Sequence, residues 1–289
     1  MKITELLQAG KPCLSFEVSP PTSAERYEEI TALVDEVAGL HPDFMSVTYG
    51  AGGGTNDFTV PVAAHLQDDF GVPTVAHLTC ISSTKERVHA QLDAMRKAGV
   101  ENVLAMRGDI PANAPPRDQW KYHYASELVA EVKEYGGFCI GGACYPETHP
   151  ESASQKEDIQ HLKEKVDAGC EYLTTQMFFD NNVYYNFLYK IREAGITVPV
   201  IPGIMPVTNA KQIGRIAKLS GAMLPQRFKY IVDRFGGDPA SMRQAGIIYA
   251  CEQIIDLFAN GVPAIHVYSM NKPFVAQQIS ANLSEIVKK

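Results

Sequence analysis

Seven times along the chain a helix-prone segment ends in a glycine followed by an apolar residue: Gly39-Leu40, Gly71-Val72, Gly99-Val100, Gly137-Phe138, Gly169-Cys170, Gly195-Ile196 and Gly261-Val262. A helix C-terminus turns most easily through a left-handed residue, and glycine, without a Cβ, takes that conformation at no steric cost. Each pair stands just ahead of an apolar run, at 43–49, 74–80, 102–108, 139–145, 172–179, 198–205 and 264–270, and CLSFEV at 13–18 makes an eighth. Most of these runs are continuous in apolar or small residues rather than alternating, as parallel strands covered on both faces are.

Helical patterns fill the intervals. Thr22 with Glu25, Ser83 with Glu86 and Ser154 with Glu157 each have the spacing of a capping box ahead of an amphipathic stretch. Eight strands alternating with helices in 289 residues predict an α/β fold, a closed (β/α)8 TIM barrel, with an open doubly wound sheet as the alternative. The interval 207–262 holds three helical stretches, near 207–219, 223–235 and 241–259, and reads as an elaborated helical connection before the last strand. No linker divides the chain, so residues 1–289 are expected to form a single catalytic domain.

The formal charge of −7 comes without any basic run or stripe, which argues against a nucleic-acid partner. Six cysteines without a CxxC sit mostly in apolar segments and read as reduced core thiols. The N-terminus MKITELLQAGK has no long apolar segment, and no apolar run is long enough to span a bilayer. A cytoplasmic chain without membrane attachment is the expectation.

In a barrel the chemistry gathers at the C-terminal ends of the strands. Those ends carry Glu17, Thr48 with Tyr49, Thr79, Arg107 with Asp109, Tyr145 with Glu147 and His149, Gln176, and Tyr268. Glu17, inside LSFEVSPP, is either a structural acid paired with Lys or Arg across the barrel or a general acid. Burial favours the protonated form of a carboxyl and suits it to the second role. Asp109 is either a turn residue or part of the site, and Arg107 a clamp for phosphate or carboxylate. YGAGGGT at 49–55 reads as a barrel loop or a phosphate cradle, but it lacks both GxxxxGK[ST] and GxGxxG spacing. His77, His149 and His161 lack metal-motif spacing, so no metal site is expected. Met177, Phe178 and Phe179 read as core.

Nine segments in order, LSFEVSPP, SVTYGAGGG, AHLTC, LAMRGDIP, CYPETHPE, HLKEKVDAG, TTQMFFD, IPGIMPVTN and HVYSMNK, resemble the signature segments of the methylenetetrahydrofolate reductase family, from about residue 13 to 275. The resemblance implies a barrel carrying FAD, reduced by NADH or NADPH and reoxidised by methylenetetrahydrofolate in ping-pong fashion, and commonly a homo-oligomer. It assigns Glu17 as the acid that opens the methylene-bridged ring, Asp109 as a carboxylate near flavin and pterin, and Gln176 as a folate-binding amide. For FAD it implies Thr48, His77, Arg107, Gly108, Asp109, Tyr145, His149, Asp158, His161 and Lys165.

The departures from some bacterial members are His161 and Glu164, where HLKEKV resembles the eukaryotic variant, Ile216 in place of an aromatic that touches both substrates, and Lys272 in place of Arg. An aliphatic Ile216 gives up ring stacking. That keeps open a second reading in which a ferredoxin or iron-sulfur subunit is the electron donor. A third is a non-catalytic folate-binding barrel. A chain ending near 289 lacks the regulatory domain of eukaryotic members, so inhibition by adenosylmethionine is not expected.

Overall fold

A computed structural model describes residues 1–49, 57–81, 83–110, 114 and 116–288, apart from the side chains of 215 and 217–219. The glycine-rich loop at 50–55 lies outside the described residues. The strands are β1 (Cys13–Val18), β2 (Phe44–Val47), β3 (Thr74–Thr79), β4 (Asn102–Met106), β5 (Cys139–Cys144), β6 (Tyr172–Thr175), β7 (Val200–Ile201), β8 (Gly203–Ile204) and β9 (Ala264–Tyr268). All pairings are parallel and the order is β7-β6-β5-β4-β3-β2-β1-β9-β8.

The expected seventh strand is thus one strand broken in two. Its first half pairs with β6 and its second with β9. The break is Pro202, which has no N–H to donate to a ladder. Its carbonyl still accepts from His266 N at 3.0 Å, and Gly203 N turns to the Thr175 hydroxyl at 2.9 Å instead of a strand neighbour. The sheet closes through this interrupted strand into the expected barrel.

Two shells account for the continuous apolar runs. Leu14, Phe16, Val18, Met45, Val47, Leu78, Val103, Ile140 and Leu173 face the surrounding helices. Their alternates Cys13, Phe44, Val75, Leu104, Cys139, Tyr172, Ile201 and Ala264 fill the N-terminal half of the barrel interior, sealed by Ile3 and Leu7 of α1 (Ile3–Gln8). The interior is tight enough that Gly141 and Gly203 carry no side chain for steric reasons: a Cβ on them would lie 2.4 Å from the Tyr172 ring and 2.3 Å from the Tyr268 hydroxyl.

The helices between the strands are α2 (Tyr27–Ala38), α3 (Thr59–Phe70), α4 (Lys85–Lys97), α5 (Ala125–Tyr135), α6 (Gln155–Asp167) and α7 (Asn181–Glu193). Six of the seven helix-stop glycines have positive φ, from 66° at Gly71 to 136° at Gly169. Gly39 does not: at φ −62° it stays right-handed, two more turn bonds follow at Leu40 and His41, and His41 takes the left-handed position at φ 54°. Of the three capping pairs, Ser154 accepts from Glu157 N as expected. At the second, Thr84 caps α4 by accepting from Arg87 N, while Ser83 donates back to the Thr79 carbonyl. At the first, a 3-10 turn over Ala24–Arg26 behind Ser23 precedes α2, so Thr22 is not the cap.

The long connection forms α8 (Ile213–Ser220), α9 (Gln226–Phe235) and α10 (Pro239–Ala259), and α11 (Pro273–Asn282) follows β9. It has its own core of Phe179, Met205, Val207, Ile213, Phe228, Met242 and Tyr249, in which Phe179 and Phe228 stack at 5.2 Å. Phe178 instead stacks on Tyr184 in the main core. All six cysteines are buried and unpaired, and burial pushes the thiols of Cys13 up to about 11 and Cys144 up to about 12. Among the described residues no helix is long and apolar enough to cross a membrane.

Gly246 is where α10 rests on the segment leaving the split strand: a Cβ there would lie 1.8 Å from the Val207 carbonyl oxygen. Gly246→Ala should therefore destabilise the protein by about 2–3 kcal/mol, the upper part of the range for overpacked cores. A chemical denaturation midpoint equal to wild type would show that α10 can shift freely.

Candidate active site

Alternation along β1 decides where Glu17 points. Leu14, Phe16 and Val18 face the helices, which leaves Cys13, Ser15 and Glu17 on the inner side. Glu17 is the last of the three and lies at the C-terminal mouth, its side chain 18% exposed.

Two buried imidazoles flank it. Glu17 Oε2 lies 3.7 Å from His77 Nε2 and 3.9 Å from His266 Nε2. Burial holds His77 down to about 4, against the pull of the Glu17 charge and with His266 adding to the depression. His77 is therefore neutral at neutral pH, and its approach to Glu17, though within ion-pairing distance, is not an ion pair. Its Nε2 is buried without a hydrogen-bond partner among the described residues.

His266 is fixed from both sides. Ser15 Oγ lies 2.7 Å from Nδ1 and Ser46 Oγ 2.9 Å from Nε2. Ser15 donates its single proton to the Ile265 carbonyl at 3.0 Å, so it accepts from Nδ1–H. Tyr268 stands edge-on to the His266 ring at 5.6 Å and donates to the Thr175 carbonyl. Burial first, then the Glu17 charge, holds its phenol well above the usual range. No Lys or Arg forms an ion pair with Glu17 among the described residues.

Around this centre the other expected residues fall into two groups. On the β4 to β6 side, Gly108 turns at φ 87° where a Cβ would meet Thr79 Cβ at 2.9 Å, and that turn brings Asp109 out to the exposed rim. Arg107 holds Glu151 with two bonds of 2.6 Å. Asp158 braces the next loop, accepting from His149 N at 2.9 Å and from Ser152 Oγ at 3.3 Å. His149 stands edge-on to Tyr145 at 4.6 Å, and burial together with Arg107 keeps it below the usual histidine range. Burial raises the Tyr145 phenol, while its hydrogen bond with Gln176 lowers it. Lys165 donates to the Ala143 carbonyl, and His161 stacks on Tyr124 at 6.4 Å.

The second group lies toward the split strand. Lys272 Nζ donates to Thr208 Oγ1 at 3.2 Å, and Ile216 packs on the core of the long connection. Glu147 accepts from Met223 N at 2.8 Å and so ties the β5 loop to the link between α8 and α9. Apart from both groups, Thr48 closes β2 beside β1, its N–H on the Val18 carbonyl and its own carbonyl accepting from Thr59 Oγ1 at 2.8 Å.

His266, Tyr124 and Glu151 were not singled out from the sequence as site residues. His266 had a usable signal, since it shares the inner face of β9 with Tyr268 by period-two spacing. Tyr124 and Glu151 lie in loops, where no periodicity indicates direction.

A family model described as methylenetetrahydrofolate reductase matches residues 2–284. The chain is 33% identical over 274 residues to a 5,10-methylenetetrahydrofolate reductase of Pectobacterium carotovorum subsp. carotovorum, covering 95% of this chain and 91% of that one. It is 34% identical to the enzyme of the same name from Escherichia coli, with the same coverage. With methylenetetrahydrofolate reductase (NADH) 1 of Arabidopsis thaliana identity is 32% over 99% of this chain and 50% of the plant protein. Among solved structures, an uncharacterized protein from Clostridium thermocellum that binds two copies of 5-methyl-5,6,7,8-tetrahydrofolic acid aligns over 99% of both chains with a TM-score of 0.66 at 16% identity, a likeness of fold alone.

The buried neutral His77 should leave a mark on stability. An unfolded histidine titrates near 6.5, whereas folded His77 is held down to about 4. Its contribution is present above about 6.5 and is lost as pH falls toward about 4, because the unfolded chain takes up the proton first. Between pH 7 and pH 4 the wild type should lose more stability than His77→Gln in urea titrations. Parallel losses in the two proteins would show that His77 protonates without hindrance.

Proposed function

The chain belongs to the methylenetetrahydrofolate reductase family, and on that premise we propose that it reduces 5,10-methylenetetrahydrofolate to 5-methyltetrahydrofolate with electrons from NADH or NADPH through bound FAD. The observation that carries this reading is Glu17, a carboxyl at the barrel mouth flanked by two buried imidazoles, with no Lys or Arg paired to it among the described residues.

The rim suits a flavin dinucleotide in three respects. The Arg107 fork already grips a carboxylate, Gly108 makes a bare turn that a Cβ would block, and His77 keeps a buried nitrogen without a partner among the described residues. Arg107 and Lys165 would hold phosphate, and His77, Thr48, Gly108, Tyr145 and His149 would border the ring system, with Asp158 and His161 toward the nucleoside end. When bound, FAD supplies a two-electron carrier that can pass hydride to carbon. The NADH in the plant relatives' names supports a nicotinamide donor.

The chain's own residues do the remaining work. The methylene bridge of the folate resists hydride until its nitrogen ten is protonated and the ring opens to a cation on nitrogen five. Glu17 holds and delivers that proton. Asp109 stabilises the resulting positive charge, and the Gln176 amide orients the pterin so that the carbon lies in line for transfer. Nucleotide and folate use the same mouth in turn, which makes the kinetics ping-pong.

Purified protein should be yellow, bleach anaerobically with NADH or NADPH, and regain colour with methylenetetrahydrofolate. In Glu17→Gln the nucleotide half-reaction should persist, while reoxidation by folate slows by about 100-fold or more, the scale of a lost general acid. Stopped-flow absorbance near the flavin maximum separates the two steps. Reoxidation at the wild-type rate would remove Glu17 from the role, and flavin bleached only by a reduced iron-sulfur protein would replace the nicotinamide donor.

A further inference from the structure

The Arg107 fork is not idle in this structure. Nη1 and Nη2 bond the two oxygens of Glu151 at 2.6 Å each, a geometry that a guanidinium offers equally to a carboxylate or a phosphate. The partners are unequally held. Arg107 leaves the end of β4 with 20% of its side chain exposed, while Glu151 is 51% exposed. Glu151 rides on a short turn whose fastenings are made by other groups: His149 N to Asp158, Ser152 Oγ to Asp158, and Ser152 N to the His149 carbonyl at 2.9 Å. Its own backbone N–H is bonded to His149 Nδ1 at 3.1 Å, which leaves the carboxylate bonded only to Arg107 among the described residues. A rotation about the Glu151 side chain frees the fork without undoing the turn. Glu151 is the exposed partner of the pair and can turn its carboxylate into solvent, so an incoming anion can replace it.

We propose that Glu151 is a built-in competitor for the Arg107 fork, a carboxylate that stands where a dinucleotide phosphate binds and gives up that place when the dinucleotide arrives. The proposal rests on the reading of this chain as a flavoprotein. It separates phosphorylated from unphosphorylated flavins. A phosphate must displace Glu151, whereas the ring of riboflavin, without phosphate, does not need Arg107.

The test is a thermodynamic cycle of dissociation constants, measured by quenching of flavin fluorescence on flavin-stripped full-length protein, for FAD and for riboflavin. Glu151→Gln should bind FAD about two- to tenfold tighter than wild type, the scale of an exposed ion pair removed from competition. Riboflavin affinity should be unchanged. In an Arg107→Gln background the same substitution should do nothing for FAD, because the contested group is gone. Unchanged or weaker FAD binding by Glu151→Gln would overturn the proposal, assigning Glu151 to hold Arg107 in place. A gain that persists without Arg107 would overturn it too, as a long-range charge effect. Wild-type protein that binds no FAD would fail the flavoprotein reading itself, a result distinct from binding that is insensitive to residue 151.

Discussion

A parallel sheet has no free edge only when its last strand returns to its first, and here the return passes through a strand split at Pro202. The first half is held by β6, the second by β9, and the ladder crosses the gap through the Pro202 carbonyl and the Gly203 N–H. Gly203 must be bare because Tyr268 fills the interior beside it, and Tyr268 in turn donates to the Thr175 carbonyl across the split. Closure and site are therefore one problem. The residue that packs the interior against the broken strand also forms a wall beside His266 and Glu17.

The barrel interior is graded along its axis. Its N-terminal half is apolar and sealed by α1, whereas the layer above holds Ser15, Ser46, His77 and His266, all nearly inaccessible. Burying polar groups is costly unless they bond one another. His266 meets that requirement through two serines, and His77 leaves one nitrogen unmet among the described residues. A buried nitrogen without a partner is a stability deficit in the protein alone, and such deficits are characteristic of sites built for a ligand.

Legibility in the sequence followed the range of the force involved. The helix stops, the strand runs and the Ser154 cap depend on neighbours within a few residues and could be read directly. Gly39 and Ser83 show the limit, because a turn displaced by one or two residues keeps the same composition while the left-handed position passes to His41 and the cap to Thr84. The rim residues could be found because strand ends are countable. The partners of those residues could not, since Glu151 meets Arg107 across 44 positions and His266 meets Ser15 across 251.

The sequence by itself determined the alternation of strands and helices, the placing of Glu17 at a strand end and the family to which its ordered segments belong. Those properties are local, or they are sums of local patterns that any chain with this order of residues would carry. The tertiary structure alone decided the electrostatic setting of the acid, two buried imidazoles with no Lys or Arg paired to it among the described residues, and the occupation of the Arg107 fork by a carboxylate. Both depend on distances between side chains brought together by barrel closure, and distance through folded space governs Coulomb and hydrogen-bond energies whatever the separation along the chain.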